Sequence, residues 1–252
     1  LFFLTIHTIE PRDFCLFSTF LHFVRCCKKA ILSGIHTFIE TNLARASFFT
    51  QNLAYNKGDK LESGDEMNDY IKLNQDRWNH VKNDYTKPIT HEELEEAKKQ
   101  PISVALTVGK KVPQEWFEKA SGKKILGLAC GGGQQGPVFA AKGYDVTIMD
   151  FSTSQLQRDE MVAKREGLTI TTVQGDLTKP FPFEDETFDI VFNPVSNVYI
   201  EDLENMYKEA ARVLKKGGLL MVGFMNPWIY MYDADVVWDQ PDEELLLKFS
   251  IP

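Results

Sequence analysis

The residues of this 252-residue chain best suited to chemistry are three consecutive glycines, Gly131, Gly132 and Gly133, with Gly136 close behind, and three polar residues that each follow an apolar run, Asp150, Asp176 and Asn193. Glycine lets the backbone take positive φ and lie directly against a ligand. A helix beginning after such a turn offers unpaired N–H groups and a partial positive charge, so a polar or anionic group is expected there. Asp150 can accept both hydroxyls of a ribose, and Asp176 can accept from an adenine amino group while Leu177 packs on the ring. Gly131, Gly133 and Gly136 also satisfy the Gly-x-Gly-x-x-Gly spacing of dinucleotide binders, with Asp150 about 20 residues after the first glycine.

These groups need a scaffold that brings them to one edge. Ile125 to Ala129 is an apolar run of strand length that breaks into the glycines, and Val146 to Met149, Leu168 to Val173, Phe188 to Phe192 and Leu219 to Phe224 repeat the pattern. Between them lie helices: one opened by a Ser152-x-x-Gln155 capping box and stopped at Gly167, and another from Leu203 to Leu214 closing on Lys215-Lys216-Gly217-Gly218. Strands alternating with helices predict an α/β fold, a doubly wound, Rossmann-like, mostly parallel sheet. In such sheets the ligand lies beyond the carboxyl ends of the strands, where the glycines, Asp150, Asp176 and Asn193 all fall.

Ahead of this core, Asn68 to Asn83 has the apolar spacing of an amphipathic helix, and Thr90-His91-Glu92-Glu93 is a capping box opening a second. A third, short helix is expected from Pro113, carrying Trp116 and Phe117. Such helices cannot bury their apolar stripes alone, so they must pack on the core or over its cleft, with Trp78 and Tyr85 as candidates to line it. His91-Glu92 lacks the second histidine of a zinc motif, and no metal site is expected.

The net charge of −8 lies in the core: residues 1–66 hold 7 Lys/Arg against 7 Asp/Glu, and residues 67–252 hold 21 against 29. An acidic body argues against nucleic acid. The four cysteines show no paired spacing, and Cys130 reads as a small packing residue within the glycine turn, which fits a reducing cytoplasm. The apolar run Phe14 to Val24 is too short and too interrupted to span a membrane.

The run from Lys124 to Phe224 resembles class I S-adenosylmethionine (SAM) methyltransferases of the bacterial small-molecule type, with a methyltransferase type 11-like domain. The resemblance is carried, in order, by Leu128-Ala129-Cys130-Gly131-Gly132-Gly133, Ile148-Met149-Asp150-Phe151-Ser152, Gln174-Gly175-Asp176-Leu177, Phe188-Asp189-Ile190-Val191-Phe192, and Arg212-Val213-Leu214-Lys215-Lys216-Gly217-Gly218. Residues 74–122 look like the N-terminal part of a bacterial branch, with its Arg77-Trp78-Asn79 and Gly132-Gly133-Gln134-Gln135-Gly136-Pro137 signatures. The resemblance implies SAM as cofactor, with Ala129, Gly131, Gly133, Gln134, Asp150, Phe151, Asp176, Leu177 and Asn193 around it. Two positions depart from the pattern: Gly127 stands where relatives usually carry an acid, and Ala129 replaces the first loop glycine.

Methyl transfer needs no nucleophilic side chain, so no catalytic residue is assigned; His80, Tyr85 and Tyr199 are the candidate bases. Trp228, Tyr230, Tyr232 and Trp238 can wall an acceptor. The alternatives are an NAD(P)-dependent oxidoreductase, for which no Tyr-x-x-x-Lys site is evident, and a SAM-binding protein without chemistry, motivated by Gly127. Three units are expected: residues 1–66 as a poorly ordered or non-native extension before Met67, residues 67–122 as a helical cap, and residues 123–252 as the core. The resembling family continues beyond the fifth strand with a helix and two more strands, so the core is expected to be a fragment whose sheet edge is uncovered.

Overall fold

The computed structural model of the chain describes residues 5–6, 70–81, 87–107, 110–200 and 202–224. Among these residues the main sheet has six strands, β1 (Thr5–Ile6), β4 (Lys124–Leu128), β5 (Asp145–Asp150), β6 (Ile170–Gln174), β7 (Phe188–Asn193) and β8 (Leu214–Val222). They lie in the order β1-β8-β7-β4-β5-β6. The chain winds outward from β4 through β5 to β6, then crosses to the other side of β4 for β7 and β8, all parallel. The direction therefore reverses at β4 and β7, and the crevice forms at their carboxyl ends. This is the doubly wound Rossmann-like sheet that the sequence predicts.

Side chains alternate across the sheet as the strand period of two requires. Ile125, Ile148, Ile190, Phe192, Leu219 and Met221 face one layer, where they meet Phe139, Leu94 and Phe117. Leu126, Leu128, Met149, Val191, Leu220 and Val222 face the other and meet Met206, Tyr207 and Val213. The helices of these layers are α2 (His91–Lys99), α3 (Gln114–Glu118), α4 (Gln135–Ala141), α5 (Thr153–Glu166) and α6 (Leu203–Val213), with α1 (Tyr70–His80) before them. Phe139 lies edge-on to Phe192, with ring centroids 5.2 Å apart, and so locks α4 onto β7.

Local chemistry sets the helix ends. Thr90 and Glu93 form the full reciprocal box at α2, at 3.2 and 2.8 Å. At α5 only half of the expected box forms: Ser152 Oγ accepts the Gln155 N–H at 3.2 Å, while the Gln155 amide donates instead to the Trp78 carbonyl at 2.8 Å. Gly167 ends α5 at φ 65, a conformation open to glycine.

Three features differ from expectation. A hairpin of β2 (Ala105–Thr107) and β3 (Lys110–Lys111) occupies a stretch with no predicted strand, and its Leu106 carbonyl accepts the Val195 N–H at 3.0 Å beyond the end of β7. β8 starts directly after α6 instead of after the glycines: Phe188 pairs Leu214 and Ile190 already pairs Leu219, so Lys215 to Gly218 form an excursion within the strand. Gly217, at φ 77, turns it. The outer edge of β8, expected bare, is paired at Leu220 and Met221 by antiparallel β1.

Arg212, one of the recognised motif residues, ties the loop before β7 to α6. It donates to the Phe181 and Phe183 carbonyls at 3.0 and 2.8 Å and pairs with Asp185 and Glu209 at 2.7 Å each. No helix among the described residues is long and apolar enough to cross a membrane.

Candidate functional site

At the carboxyl end of β4 the chain turns through Ala129 at φ 45, then Gly132 at φ 129 and Gly133 at φ 72. Ala129 holds a left-handed conformation that favours glycine, which is the physical meaning of its departure from the family pattern. The turn docks against α5: a Cβ on Gly131 would lie 2.9 Å from Gln155 Cβ, and one on Gly133 2.9 Å from the Arg158 carbonyl oxygen. The glycines are therefore needed for close approach to the protein itself.

The turn's N–H groups are already engaged, and by carboxylates. Gly131 donates to Asp150 Oδ2 at 3.0 Å; Gly132 and Gly133 donate to Asp159 Oδ2 at 2.9 and 3.1 Å. Asp150 Oδ1 also accepts the Ser152 N–H at 2.9 Å. Burial raises the Asp150 carboxyl above its usual range against the pull of these N–H groups, and burial lifts Asp159, fully enclosed, to about 7. Among the described residues Asp159 Oδ1 has no hydrogen-bond partner, and it lies 2.7 Å from where a Cβ on Gly136 would sit. The third glycine of the motif thus makes room for Asp159.

Asp159 was not among the residues singled out from the sequence. Its signal is positional: it shares the buried stripe of α5 with Gln155, Val162 and Ala163, where an acid needs a partner.

The other expected cofactor residues divide. Gln134 flanks the turn and its amide donates to the Lys87 carbonyl at 2.9 Å. The Phe151 carbonyl accepts from Gln75 at 3.2 Å and Gln174 at 3.4 Å, so α1 is joined to the end of β5. Asp176 Oδ1 accepts both the N–H and the hydroxyl of Thr178 at 2.8 Å, a tight turn that leaves Oδ2 unengaged among the described residues, beside buried Leu177. Asn193 is placed differently. It is fully buried, donates to the Leu128 carbonyl and Ser196 Oγ at 3.0 and 2.9 Å, and accepts from the Tyr207 hydroxyl at 3.3 Å. With Asn197, which donates to the Gly223 carbonyl at 2.6 Å, it ties together the ends of β4, β7 and β8. Tyr207 and Asn197, the other members of this network, were not anticipated.

Gly127 leaves little room for a side chain, because a Cβ there would meet Cys130 Sγ and Ile148 Cδ1 and require both side chains to shift. Cys130 is buried and its thiol is pushed well up by that burial, which fits a packing role. Of the candidate bases, His80 Nδ1 lies 2.7 Å from the Asp76 carbonyl on the exposed side of α1. Tyr199 packs edge-on against Trp78 at 5.3 Å, and burial raises its phenol, so it stays protonated at neutral pH. Tyr85 and the aromatic residues Trp228, Tyr230, Tyr232 and Trp238 lie outside the described residues. Two hollows among the described residues lie elsewhere: about 550 Å³ along α5 at Gln157, Met161 and Arg165, and about 280 Å³ around Arg212 and Lys216. His91 pairs with Glu166 at 2.8 Å; Glu166 also takes Arg165 Nε at 2.5 Å, and Glu95 stands near. Ion pairing accounts for that cluster.

A sheet reversing at β4, a glycine turn and acids at the following strand ends define a class I methyltransferase scaffold. Residues 126–222 match the methyltransferase domain family model. The chain is 42% identical over 189 residues to the uncharacterized methyltransferase YbaJ of Bacillus subtilis, spanning 74% of this chain and 73% of that protein. The chain belongs to this methyltransferase family. It is also 38% identical over 119 residues to the sterol 24-C-methyltransferase ERG6B of Gibberella zeae, covering 45% of this chain and only 30% of that enzyme. Among solved structures, a S-adenosylmethionine dependent methyltransferase from Mesorhizobium loti is 25% identical, with TM-score 0.40, over 48% of this chain and 57% of that one.

Proposed function

We propose that the chain binds SAM at the glycine turn and transfers its methyl group to a small-molecule acceptor. The observation that carries this reading is the capping of three turn N–H groups by two carboxylates. A dinucleotide needs those N–H groups for its pyrophosphate. Here they are spent, and a pyrophosphate would bring its two negative charges against two acids. SAM carries a single carboxylate, offset by a cationic sulfonium and an amino group, and its amino and hydroxyl donors match acids and carbonyls. The oxidoreductase alternative loses its support on this ground.

The residues fit the cofactor. Each Asp150 oxygen takes one N–H and keeps acceptor capacity for ribose hydroxyls, Asp176 Oδ2 with Leu177 suits the adenine, and Ala129 to Gln134 form the cradle at the methionyl end. When bound, SAM supplies an electrophilic methyl group. The chain's part is to hold the partners in line and keep the site dry. Trp78 against Tyr199 gives this end an aromatic surface suited to an apolar acceptor. The partial relative named for sterols acts on an acceptor of that kind, and the net charge of −8 disfavours nucleic acid.

Incubation of the full chain with methyl-labelled SAM and a metabolite library is expected to label a low-molecular-weight product. Label confined to added RNA, DNA or protein would refute the small-molecule assignment. A reading without chemistry has one observation in its favour, the tight space at Gly127, and it requires SAM binding with no labelled product at all.

A further inference from the structure

We propose that Asp159 is a positioning residue of the SAM site, whose ionised carboxylate holds the glycine turn in its ligand-ready shape. The proposal rests on SAM being the ligand of that turn. Asp159 sits two turns into α5, on a helix fixed from below by β5 and β6 and from the side by α1. One oxygen gathers the N–H groups of Gly132 and Gly133 at 2.9 and 3.1 Å. Both glycines lie at positive φ, so the turn has little intrinsic preference for this shape and takes it from the anchor. The Gly132 N–H also faces the Gln155 carbonyl at 3.1 Å, and the Gly133 carbonyl accepts from Ile89 at 2.9 Å, but only Asp159 joins two successive N–H groups to one atom. Its second oxygen has no partner among the described residues within a fully enclosed space, where an ordinary structural aspartate would be expected to find one.

An acid kept in such a place is expected to serve through its charge. The charged or titratable groups facing it are Asp150 from β5, Glu160 on its own helix and Cys130 in the turn. The carboxyls repel its charge, and burial raises it most, so it changes protonation near neutrality. Protonation weakens its hold on the two N–H groups and releases the turn.

If only the ionised form is competent, apparent affinity scales with its fraction, so SAM is expected to bind about tenfold more weakly at pH 6 than at pH 8. Asp159→Asn keeps an acceptor but cannot titrate, and is expected to lose that dependence. The titration of the ligand's own amino group is common to both proteins, and the difference between them reports Asp159. Asp159→Ala, which leaves the N–H groups without this acceptor, is expected to raise the SAM Kd at least tenfold at pH 8 in protein that circular dichroism shows to be folded. A pH dependence as large in Asp159→Asn as in the wild type would overturn the proposal. So would wild-type affinity in folded Asp159→Ala, or an affinity in the wild type that is flat between these pH values. Absence of SAM binding at every pH would overturn the proposed function itself, and this inference with it.

Discussion

Replacing Asp159 by Asn is expected to change how the stability of the protein depends on pH. Burial lifts this carboxyl from 3.8 to about 7, against the two glycine N–H bonds that lower it. A carboxyl with a higher value in the folded state binds its proton more tightly there than in the unfolded chain. Its contribution is therefore most favourable below 3.8, falls as pH rises toward about 7, and is flat above. Over most of this window, from pH 5 to pH 8, the loss amounts to about 2 to 3 kcal/mol. Asn cannot titrate and escapes that loss, although its unpaired amide costs about 1 to 3 kcal/mol at every pH. The difference in stability, variant minus wild type, is thus expected to rise by about 2 to 3 kcal/mol between these pH values, whatever its sign at either. Urea unfolding of both proteins at pH 5, 6.5 and 8 measures it, and the other carboxyls largely cancel in the difference. Parallel stability curves would show that Asp159 is ionised throughout this range in the folded state, as it is in the unfolded chain, and would refute the reasoning.

Asp150→Ala is expected to weaken SAM binding by about 1.5 to 3 kcal/mol, roughly 10- to 150-fold, by titration of folded protein; unchanged affinity would remove the ribose assignment. Tyr207→Phe takes the hydroxyl from the buried Asn193 and Asn197 network and is expected to cost about 1 to 3 kcal/mol in chemical unfolding, with little change in SAM affinity. Gly136→Ala brings a methyl group against Asp159 Oδ1 and is expected to destabilise by about 1 to 3 kcal/mol despite the better helix propensity of Ala. Combining it with Asp159→Ala should cost less than the sum of the two, and strict additivity would break the proposed contact.

Most of the parallel strands were legible because they are buried on both faces and read as short apolar runs: β7, from Phe188 to Asn193, is buried throughout, while β6 at the sheet edge, with no fully buried residue, was legible through its β-branched residues. The ends of α2 and α5 were legible through Thr90, Ser152 and Gly167, whose side chains or flexibility act locally. The hairpin of β2 and β3 was not, since its strands are two and three residues long and take their stability from Val195 and the end of the sheet. The start of β8 was hidden for a related reason: Lys215-Lys216-Gly217-Gly218 has the chemistry of a helix end, and only pairing with β7 draws Leu214 into the strand.

At the site, the turn and its following acids stood out because glycine and aspartate mark backbone needs directly. Asn193 occupies the expected strand end but turns inward, a distinction made by Tyr207 from a distant helix. Asp159 lay within the Arg-Asp-Glu run of a polar helix. Its meaning came from contact with glycines 26 and 27 residues away.

The central claim is that carboxylate-capped N–H groups make the glycine turn a site for a cationic nucleoside cofactor and not for a pyrophosphate. Calorimetric titration of the full chain at pH 8 with SAM and, separately, with NAD tests it most directly. The account predicts saturable binding of SAM and no measurable binding of NAD at the same concentrations; saturable binding of NAD with none of SAM would contradict it.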